Sequence, residues 1–172
     1  MSVIVPLNIM SQDAIEHLLD AAFGPDRHGR TAYLIRDGMH WLPELSFGIE
    51  DEKGRLIGSL QSWPVALTHE DGGQTPLIMV GPVAVDPSVQ GTGHGRAMMD
   101  AVVTAARAHR SDPLMMIGDP EYYGRFWGFS AQGTGGWDCP GPFEARRLLA
   151  LSVDGRAIGG KGMLSPRIAV QA

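Results

Sequence analysis

The spacing of apolar and polar residues changes character several times along the chain. Near the amino terminus, Val3–Ile9 has the apolar content of a strand, and Ser11 is a suitable N-cap for the helically spaced apolar residues that follow it. Gly24-Pro25 ends that helix. The segment Asp26–Pro43 mixes arginines with aromatic residues, and we predict a second helix with flanking loops there.

The middle of the chain predicts an antiparallel meander. Leu45–Glu50 and Arg55–Leu67 have strand character and are joined by the turn Asp51-Glu52-Lys53-Gly54, which is typical of a hairpin. A second turn at Asp71-Gly72-Gly73-Gln74 leads into a third strand, Pro76–Val85.

Beyond the meander, helical and strand patterns alternate. We predict a helix over Arg96–His109, a strand buried on both faces over Leu114–Ile117 and a short aromatic helix over Glu121–Trp127. Strand-like patches follow at Arg147–Val153 and Ile168–Val170. This order predicts a mixed α/β (α+β) fold: a mostly antiparallel central sheet, flanking helices and one βαβ crossover.

Composition narrows the class of protein. The 172 residues are 44% hydrophobic and 19% charged, as expected of one domain spanning residues 1–172. The net charge of -5 argues against a nucleic-acid partner. Cys139 is the only cysteine, which excludes an internal disulfide and a thiolate zinc site, so we expect no metal. Without a secretory signal or a membrane-length apolar run, we expect a cytoplasmic protein with no membrane partner.

The segment from Val83 to Arg96 carries the strongest chemical signal. A strand leads into Gln90-Gly91-Thr92-Gly93-His94-Gly95-Arg96 and then directly into a helix. Glycines lack Cβ atoms, so backbone N–H groups can close around an anion, and the helix start adds donors and a positive dipole end. Arg96 adds a charge-assisted contact. We therefore predict a diphosphate-binding turn, in preference to a plain strand-to-helix connection.

Two other phosphate motifs fit this chain less well. A Rossmann fingerprint would need glycine at Arg96 and a position after the first strand. A near match to a P-loop at residues 155–162 has Gly162 where serine or threonine must bind magnesium, and Pro166 blocks a following helix. We predict neither site.

Gln90, Gly93 and Gly95 match the Q-x-x-G-x-G acetyl-CoA motif, and the chain resembles the GNAT superfamily of acetyltransferases. Further segments are similar to its bacterial YhbS-like branch and cover nearly the whole chain in order: Phe23-Gly24-Pro25, Thr31-Ala32-Tyr33, Leu45-Ser46-Phe47, Trp63-Pro64-Val65, Gly81-Pro82-Val83-Ala84-Val85 and Gly118-Asp119-Pro120 with Tyr122-Tyr123 and Arg125-Phe126. The resemblance implies a GNAT-like fold with an acetyl-CoA-binding core at about residues 77–130. It also implies a splayed strand pair, opened at Gly81-Pro82, that receives the pantetheine arm.

The resemblance also implies roles for individual residues. Backbone N–H groups around Val83–Val85 would polarise the thioester carbonyl, and a tyrosine on the helix after the parallel strand would protonate the leaving sulfur. The residues expected to contact acetyl-CoA are Val83, Ala84, Val85, Gln90, Gly91, Thr92, Gly93, His94, Gly95, Arg96, Asp119, Tyr122 and Phe126. In the family, three residues usually separate the tyrosine from a following Gly-Phe, whereas this chain has one extra residue, Trp127. Counting from Gly118 favours Tyr123 as the acid over Tyr122, the alternative being that both tyrosines only pack or contact the cofactor.

The acceptor side is marked less clearly. Family members often build the acceptor pocket between the first helices, where this chain has Arg27, Arg30, Tyr33, Arg36, His40 and Trp41. These arginines either recognise an anionic group or form a solvated helix face, and we favour the solvated face. No base is predicted, because Glu50, His28 and His69 are better explained as surface groups and Asp86 as a turn cap. We expect Trp137–Phe143 to wall the acceptor site or to mediate contacts in a homodimer, with Cys139 an inert packing residue.

Taken with the resemblance, these features imply an acetyl-CoA-dependent N-acetyltransferase. It would move acetyl to a primary amine of a small molecule or peptide by direct attack, without a metal. One alternative is a non-catalytic CoA- or acyl-CoA-binding regulatory module, which would keep the diphosphate turn but lack a competent acid. Another is an enzyme that uses a longer acyl donor.

Overall fold

The computed structural model describes residues 1–168, so Ala169 and Val170 of the predicted terminal patch lie outside the described residues. Within residues 1–168 there are four α-helices: α1 Gln12–Phe23, α2 Thr31–Ile35, α3 His94–His109 and α4 Pro120–Trp127. The strands in the same range are β1 Val3–Pro6, β2 Phe47–Glu50, β3 Leu56–Thr68, β4 Gln74–Val85, β5 Leu114–Ile117, β6 Trp137–Asp138, β7 Leu148–Leu151 and β8 Gly162–Pro166.

The strands form one mixed sheet in the order β1-β2-β3-β4-β5-β7, with β8 pairing with both β3 and β6. Antiparallel pairs join β1 to β2, β2 to β3, β3 to β8 and β5 to β7, whereas β4–β5 and β6–β8 are parallel. The helix α3 connects the parallel strands β4 and β5. The predicted fold class, a mostly antiparallel sheet with flanking helices and a βαβ crossover, is confirmed.

Two compact units make up the chain, and each is discontinuous in sequence. The first contains Met1–His28, Trp41–Ser62 and Val80–His109. The second contains Gly29–His40, Trp63–Met79 and the described residues from Arg110 onward. The strands β3 and β4 each pass through both units.

The first unit is built around α1. The Ser11 hydroxyl accepts a hydrogen bond from Ala14 N at 3.1 Å, so it is the predicted N-cap, and Gly24 ends the helix with φ of 89°. The apolar face of the helix, with Ile15, Leu18 and Leu19, forms a buried cluster with Leu7 just after β1, Leu56 of β3 and Ala84 of β4.

The helix α3 belongs to the same unit and approaches β3 closely. A Cβ at Gly58 would lie 2.8 Å from Ile49 Cγ1 and 3.1 Å from Met98 Cε. A side chain at Gly58 would crowd Ile49 and the end of Met98, so glycine at this position favours close packing of α3 on β3.

The second unit is centred on β5, whose Leu114, Met115 and Met116 are buried, as predicted for a strand covered on both faces. The ladder between β4 and β5 joins Ile78 to Leu114 and Met79 to Met115. In sequence, β4 then continues through Val80–Val85.

The second helix predicted within Asp26–Pro43, with loops on either side, is present as α2. It has only five residues, is preceded by a 3₁₀ turn and is followed by Gly38 with φ of 75°. Glycines on both sides of α2 disfavour a longer helix. The strands β6 and β8 were not predicted, because Gly162–Pro166 has little strand propensity of its own and is held by pairing with the distant strand β3.

Candidate active site

The turn before α3 has the backbone conformation that the glycine pattern predicted. Gly91 and Gly93 have φ of 85° and 82°, a region that residues with side chains rarely occupy. The first α3 hydrogen bond runs from Ala97 N to Gly93 O at 3.0 Å. The N–H groups of His94 and Gly95 therefore lie in the first helical turn, where the helix itself offers them no acceptor.

The same turn presents open space where side chains would otherwise stand. Ideal Cβ atoms built on Gly91, Gly93 and Gly95 meet no protein atom within 4 Å. Gln90 and Arg96, at the two ends of the turn, are exposed. The backbone of this segment can thus be approached closely from outside, as a diphosphate requires.

Asp86 and Thr92 hold the turn in shape. Asp86 Oδ1 accepts hydrogen bonds from Ser88 N at 2.9 Å and Ser88 Oγ at 2.7 Å, which confirms its predicted capping role. Thr92 Oγ1 donates to Val89 O at 2.7 Å. The backbone N–H of Ser88, its hydroxyl and, to a lesser degree, Arg55 hold the pKa of Asp86 below its ordinary value of 3.8.

Asp86→Ala is expected to lower the free energy of unfolding by about 1 kcal/mol at pH 7, because a capping acceptor is lost. Since the pKa of Asp86 is lowered in the folded state, this stabilisation is complete above pH 3.8 and is lost as pH falls through the still lower folded value. Urea unfolding of wild type and variant between pH 3 and 7 measures the difference. An equal difference at every pH would contradict the role of the ionised carboxylate.

The tyrosines predicted near the acyl group lie on α4. Asp119 is the N-cap of this helix and accepts a hydrogen bond from Glu121 N at 3.0 Å. The Tyr122 and Tyr123 rings meet edge to face with centroids 5.0 Å apart, and Tyr122 also contacts Phe126 at 5.3 Å. The extra residue, Trp127, is the last residue of the helix, after the turn that carries both tyrosines, and is followed by Gly128 as a left-handed cap.

The side chain of Tyr123 is half-buried, and its phenol has a shifted pKa. Burial raises the pKa of its phenol above 10, helped by Tyr122 and Asp119 and opposed by Arg147. The phenol therefore stays protonated at neutral pH and can donate its proton or a hydrogen bond.

Two of the arginines predicted to form a solvated face are buried. Arg27 is 1% exposed and forms ion pairs with Glu16 and, at 3.4 Å, with Asp20 on α1. Arg36 is 7% exposed, with its guanidinium 4.0 Å from the Tyr33 ring centre. The solvated-face prediction was wrong for both, because ion pairs and aromatic rings compensate burial of the charge.

Arg36 is stacked on a second ring, since its guanidinium also lies 3.7 Å from the centre of Trp63. Thr31 Oγ1, one turn earlier, donates to Pro142 O at 2.6 Å and ties α2 to the Trp137–Phe143 segment. Arg30 and His40 are exposed, as the solvated-face prediction had it. The helical spacing of Tyr33 and Arg36 is the only feature of the sequence that could have indicated this stacking of an arginine on aromatic rings.

The side chain of Cys139 is buried, and its thiol has a raised pKa that makes it a poor nucleophile. It is 6% exposed, and burial, with the neighbouring Asp138, raises the pKa of the thiol to about 11. Its backbone N–H donates to Asp138 Oδ1 at 2.8 Å. The structure supports the predicted packing role.

We expect Cys139 to react with iodoacetamide at pH 8 about 100-fold more slowly in the native protein than in urea, because the thiolate is the reactive form. Mass spectrometry of timed samples measures both rates, and the urea sample is the internal control. Comparable rates in the two samples would contradict the description of this thiol.

The groups considered as bases have other contacts. His69 is bonded through both ring nitrogens, to Lys161 O and Thr75 Oγ1, each at 2.7 Å. His28 lies beside Arg27, with Nε2 3.4 Å from a guanidinium nitrogen.

Among residues 1–168, no three histidine, cysteine or carboxylate groups are clustered to hold a metal. In the same range, no helix has the length and hydrophobicity needed to cross a bilayer.

Comparison with solved structures places the fold among known ones. The chain is similar to the GNAT family N-acetyltransferase YhbS from Escherichia coli, solved in complex with CoA, with 22% identity and a TM-score of 0.71 over 97% of this chain and 89% of that one. It is also similar to a GNAT family acetyltransferase from Brucella melitensis, solved in complex with acetyl-CoA. There the identity is 23% and the TM-score 0.62, over 94% of this chain and 93% of that one. A search of curated proteins found no match.

The sequence itself gives the family. Residues 6–130, more than half of the chain, match the model of the acetyltransferase (GNAT) domain. This segment includes the glycine turn, α3, β5 and both candidate tyrosines. The chain therefore belongs to the GNAT family of acetyltransferase domains, which are acyltransferases.

Proposed function

We propose that this chain transfers an acetyl group from acetyl-CoA to a primary amine. The observation that carries the proposal is the open glycine turn at the start of α3, in a chain that belongs to an acetyltransferase family. The CoA and acetyl-CoA complexes of the two structurally similar proteins support the same cofactor here.

The residues present fit the diphosphate of acetyl-CoA. The backbone N–H groups of residues 91–95 lie at the positive end of the α3 dipole and are proposed to donate to the anion. The positive φ of Gly91 and Gly93 sets the orientation of these N–H groups. Ideal Cβ atoms on the three glycines would stand in open space, and this space is proposed to receive the phosphates. Arg96 adds positive charge in the first turn.

Acetyl-CoA would supply an acetyl group activated as a thioester. Backbone N–H groups around Val83–Val85 are proposed to donate to the thioester carbonyl oxygen, which gains negative charge as the amine attacks. Tyr123 is proposed to give its proton to the departing sulfur. One C–N bond forms, one C–S bond breaks, the amine loses a proton and the sulfur gains one.

The phenol of Tyr123 suits this role through its environment. Its raised pKa keeps it protonated but makes it a weaker acid than the CoA thiol, whose ordinary pKa is about 8.5. Its contribution is therefore greatest as a hydrogen bond to the charge that develops on sulfur. The amine is proposed to react in its neutral form.

A thiol-release screen tests the proposed function. Acetyl-CoA would be incubated with the protein and a panel of a peptide with a free α-amine, lysine, spermidine, kanamycin and glucosamine. We expect at least one amine to give CoA thiol and an equal amount of acetylated product by mass spectrometry. Binding of acetyl-CoA without product from any amine would instead favour the regulatory module. The screen would be repeated with butyryl-CoA, and faster thiol release than with acetyl-CoA would favour an enzyme for a longer acyl donor.

A further inference from the structure

Gly118 lies at the junction of β5 and α4 and is buried against the ring of Tyr123. An ideal Cβ at this position would stand 2.8 Å from both Cδ2 and Cε2 of that ring, closer than real Cβ contacts occur. The backbone of Gly118 is outside the left-handed region, so a side chain is excluded here by space and not by φ.

The backbone at Gly118 cannot easily retreat from such a contact. Gly118 N donates to Arg147 O at 2.9 Å, and Arg147 Nε donates to Gly118 O at 3.3 Å. Arg147, which directly precedes β7, thus forms hydrogen bonds with both the N–H and the C=O of Gly118. A methyl group added at this position would therefore displace its neighbour in preference to the main chain.

The Tyr123 ring is enclosed on its other sides. Tyr122 meets it edge to face at 5.0 Å, Trp127 lies 5.8 Å away and Phe129 lies 6.4 Å away, measured between ring centres. Trp127 and Phe129 are both buried. Tyr123 N is also fixed by a hydrogen bond to Asp119 O at 2.9 Å. With these neighbours in place, the ring can avoid a new methyl group only by leaving its present rotamer.

We propose that Gly118 is a positioning residue: its missing side chain sets where the Tyr123 phenol stands during acetyl transfer. The proposal rests on the proposed acid role of Tyr123. It predicts that Gly118→Ala moves the ring and lowers kcat about 100-fold, because a misplacement of about 1 Å has effects of that size. Acetyl-CoA affinity would be unchanged.

The experiment combines a direct view of the ring with kinetics. The chain has three tyrosines, so ¹⁹F NMR of protein labelled with 3-fluorotyrosine gives three resonances, assigned with single Tyr→Phe variants. Rates of CoA release would be measured with the fastest amine of the panel above. Gly135→Ala is the matched control, because this glycine is exposed, has ordinary φ and has no atom within 4 Å of its Cβ position.

We expect Gly118→Ala, unlike Gly135→Ala, to shift the Tyr123 resonance and to lower kcat toward the level of Tyr123→Phe. The double variant Gly118→Ala/Tyr123→Phe should be no slower than Tyr123→Phe alone. An unchanged Tyr123 resonance would overturn the proposal, as would a shifted resonance with unchanged kcat. Full activity of Tyr123→Phe would instead remove the acid role, which separates that failure from a failure at Gly118.

A stability measurement covers the case in which Gly118→Ala folds poorly. If the cost of alanine arises from the ring, Gly118→Ala should lower the Tm of the wild type by about 3 °C or more but leave the Tm of Tyr123→Ala, which lacks the clashing atoms, unchanged. Equal losses in both backgrounds would show that the ring is not what the methyl group displaces, and would overturn the proposal.

Discussion

Gly93→Val is expected to lower the affinity of the chain for acetyl-CoA by about 100-fold or more, the equivalent of one or two hydrogen bonds to a charged group. Valine cannot keep φ at 82°, so the peptide groups on either side would turn and redirect their N–H donors. Its side chain would also stand where no protein atom lies within 4 Å, on the open side of the turn. Isothermal titration calorimetry with acetyl-CoA measures the loss.

Gly72→Val is the matched control for backbone strain. Gly72 has φ of 88° and also has no atom within 4 Å of its Cβ position, but it lies in the hairpin between β3 and β4. Both variants should lose similar amounts of stability, since both force a β-branched residue into the left-handed region. If Gly93→Val binds acetyl-CoA as tightly as Gly72→Val does, the turn is not the diphosphate site.

Tyr123→Phe is expected to lower kcat by about 100-fold or more with little change in the Kd for acetyl-CoA, because a general acid acts mainly on the departing group. The ring that packs against Trp127 and Phe129 remains, so stability should be nearly unchanged. Steady-state kinetics with the fastest amine and calorimetry with acetyl-CoA measure the two quantities.

Tyr122→Phe separates the two adjacent phenols. Its ring contacts with Phe126 and Trp127 are kept in the variant, so packing is preserved on that side of α4 as well. We expect its kcat to stay within about threefold of wild type, which is small beside the effect of losing a general acid. A larger loss in Tyr122→Phe than in Tyr123→Phe would reverse the assignment.

The parts of the fold with strong local signals were predictable from the sequence. Leu114–Ile117 is a continuous apolar run and is β5 over the same residues, and Ser11 caps α1 as predicted. The short length of α2 and the presence of the strand β8 were not predictable in the same way. The first depends on flanking glycines and the second on pairing with a distant strand, which single-sequence patterns represent poorly.

In the candidate site, too, the local features were predictable from the sequence and the contacts between distant residues were not. The glycine turn and the cap at Asp86 follow from local backbone chemistry and were visible in the sequence. The burial of Arg27 was not visible in the sequence, because its contacts with Glu16 and Asp20 on α1 depend on the path of the chain after Gly24. The contact of Gly118 with the Tyr123 ring likewise depends on the angle between a strand and a helix, and the Gly-Asp-Pro segment alone does not reveal it.

The most direct test is an NMR titration of ¹⁵N-labelled protein with CoA and, separately, with pantetheine, which lacks the diphosphate. We predict that CoA shifts the amide resonances of Gly91, Gly93, His94 and Gly95, that pantetheine does not, and that CoA binds about 100-fold more tightly. Amide resonances in this turn that stay unchanged at saturating CoA, with equal affinity for the two ligands, would contradict the account.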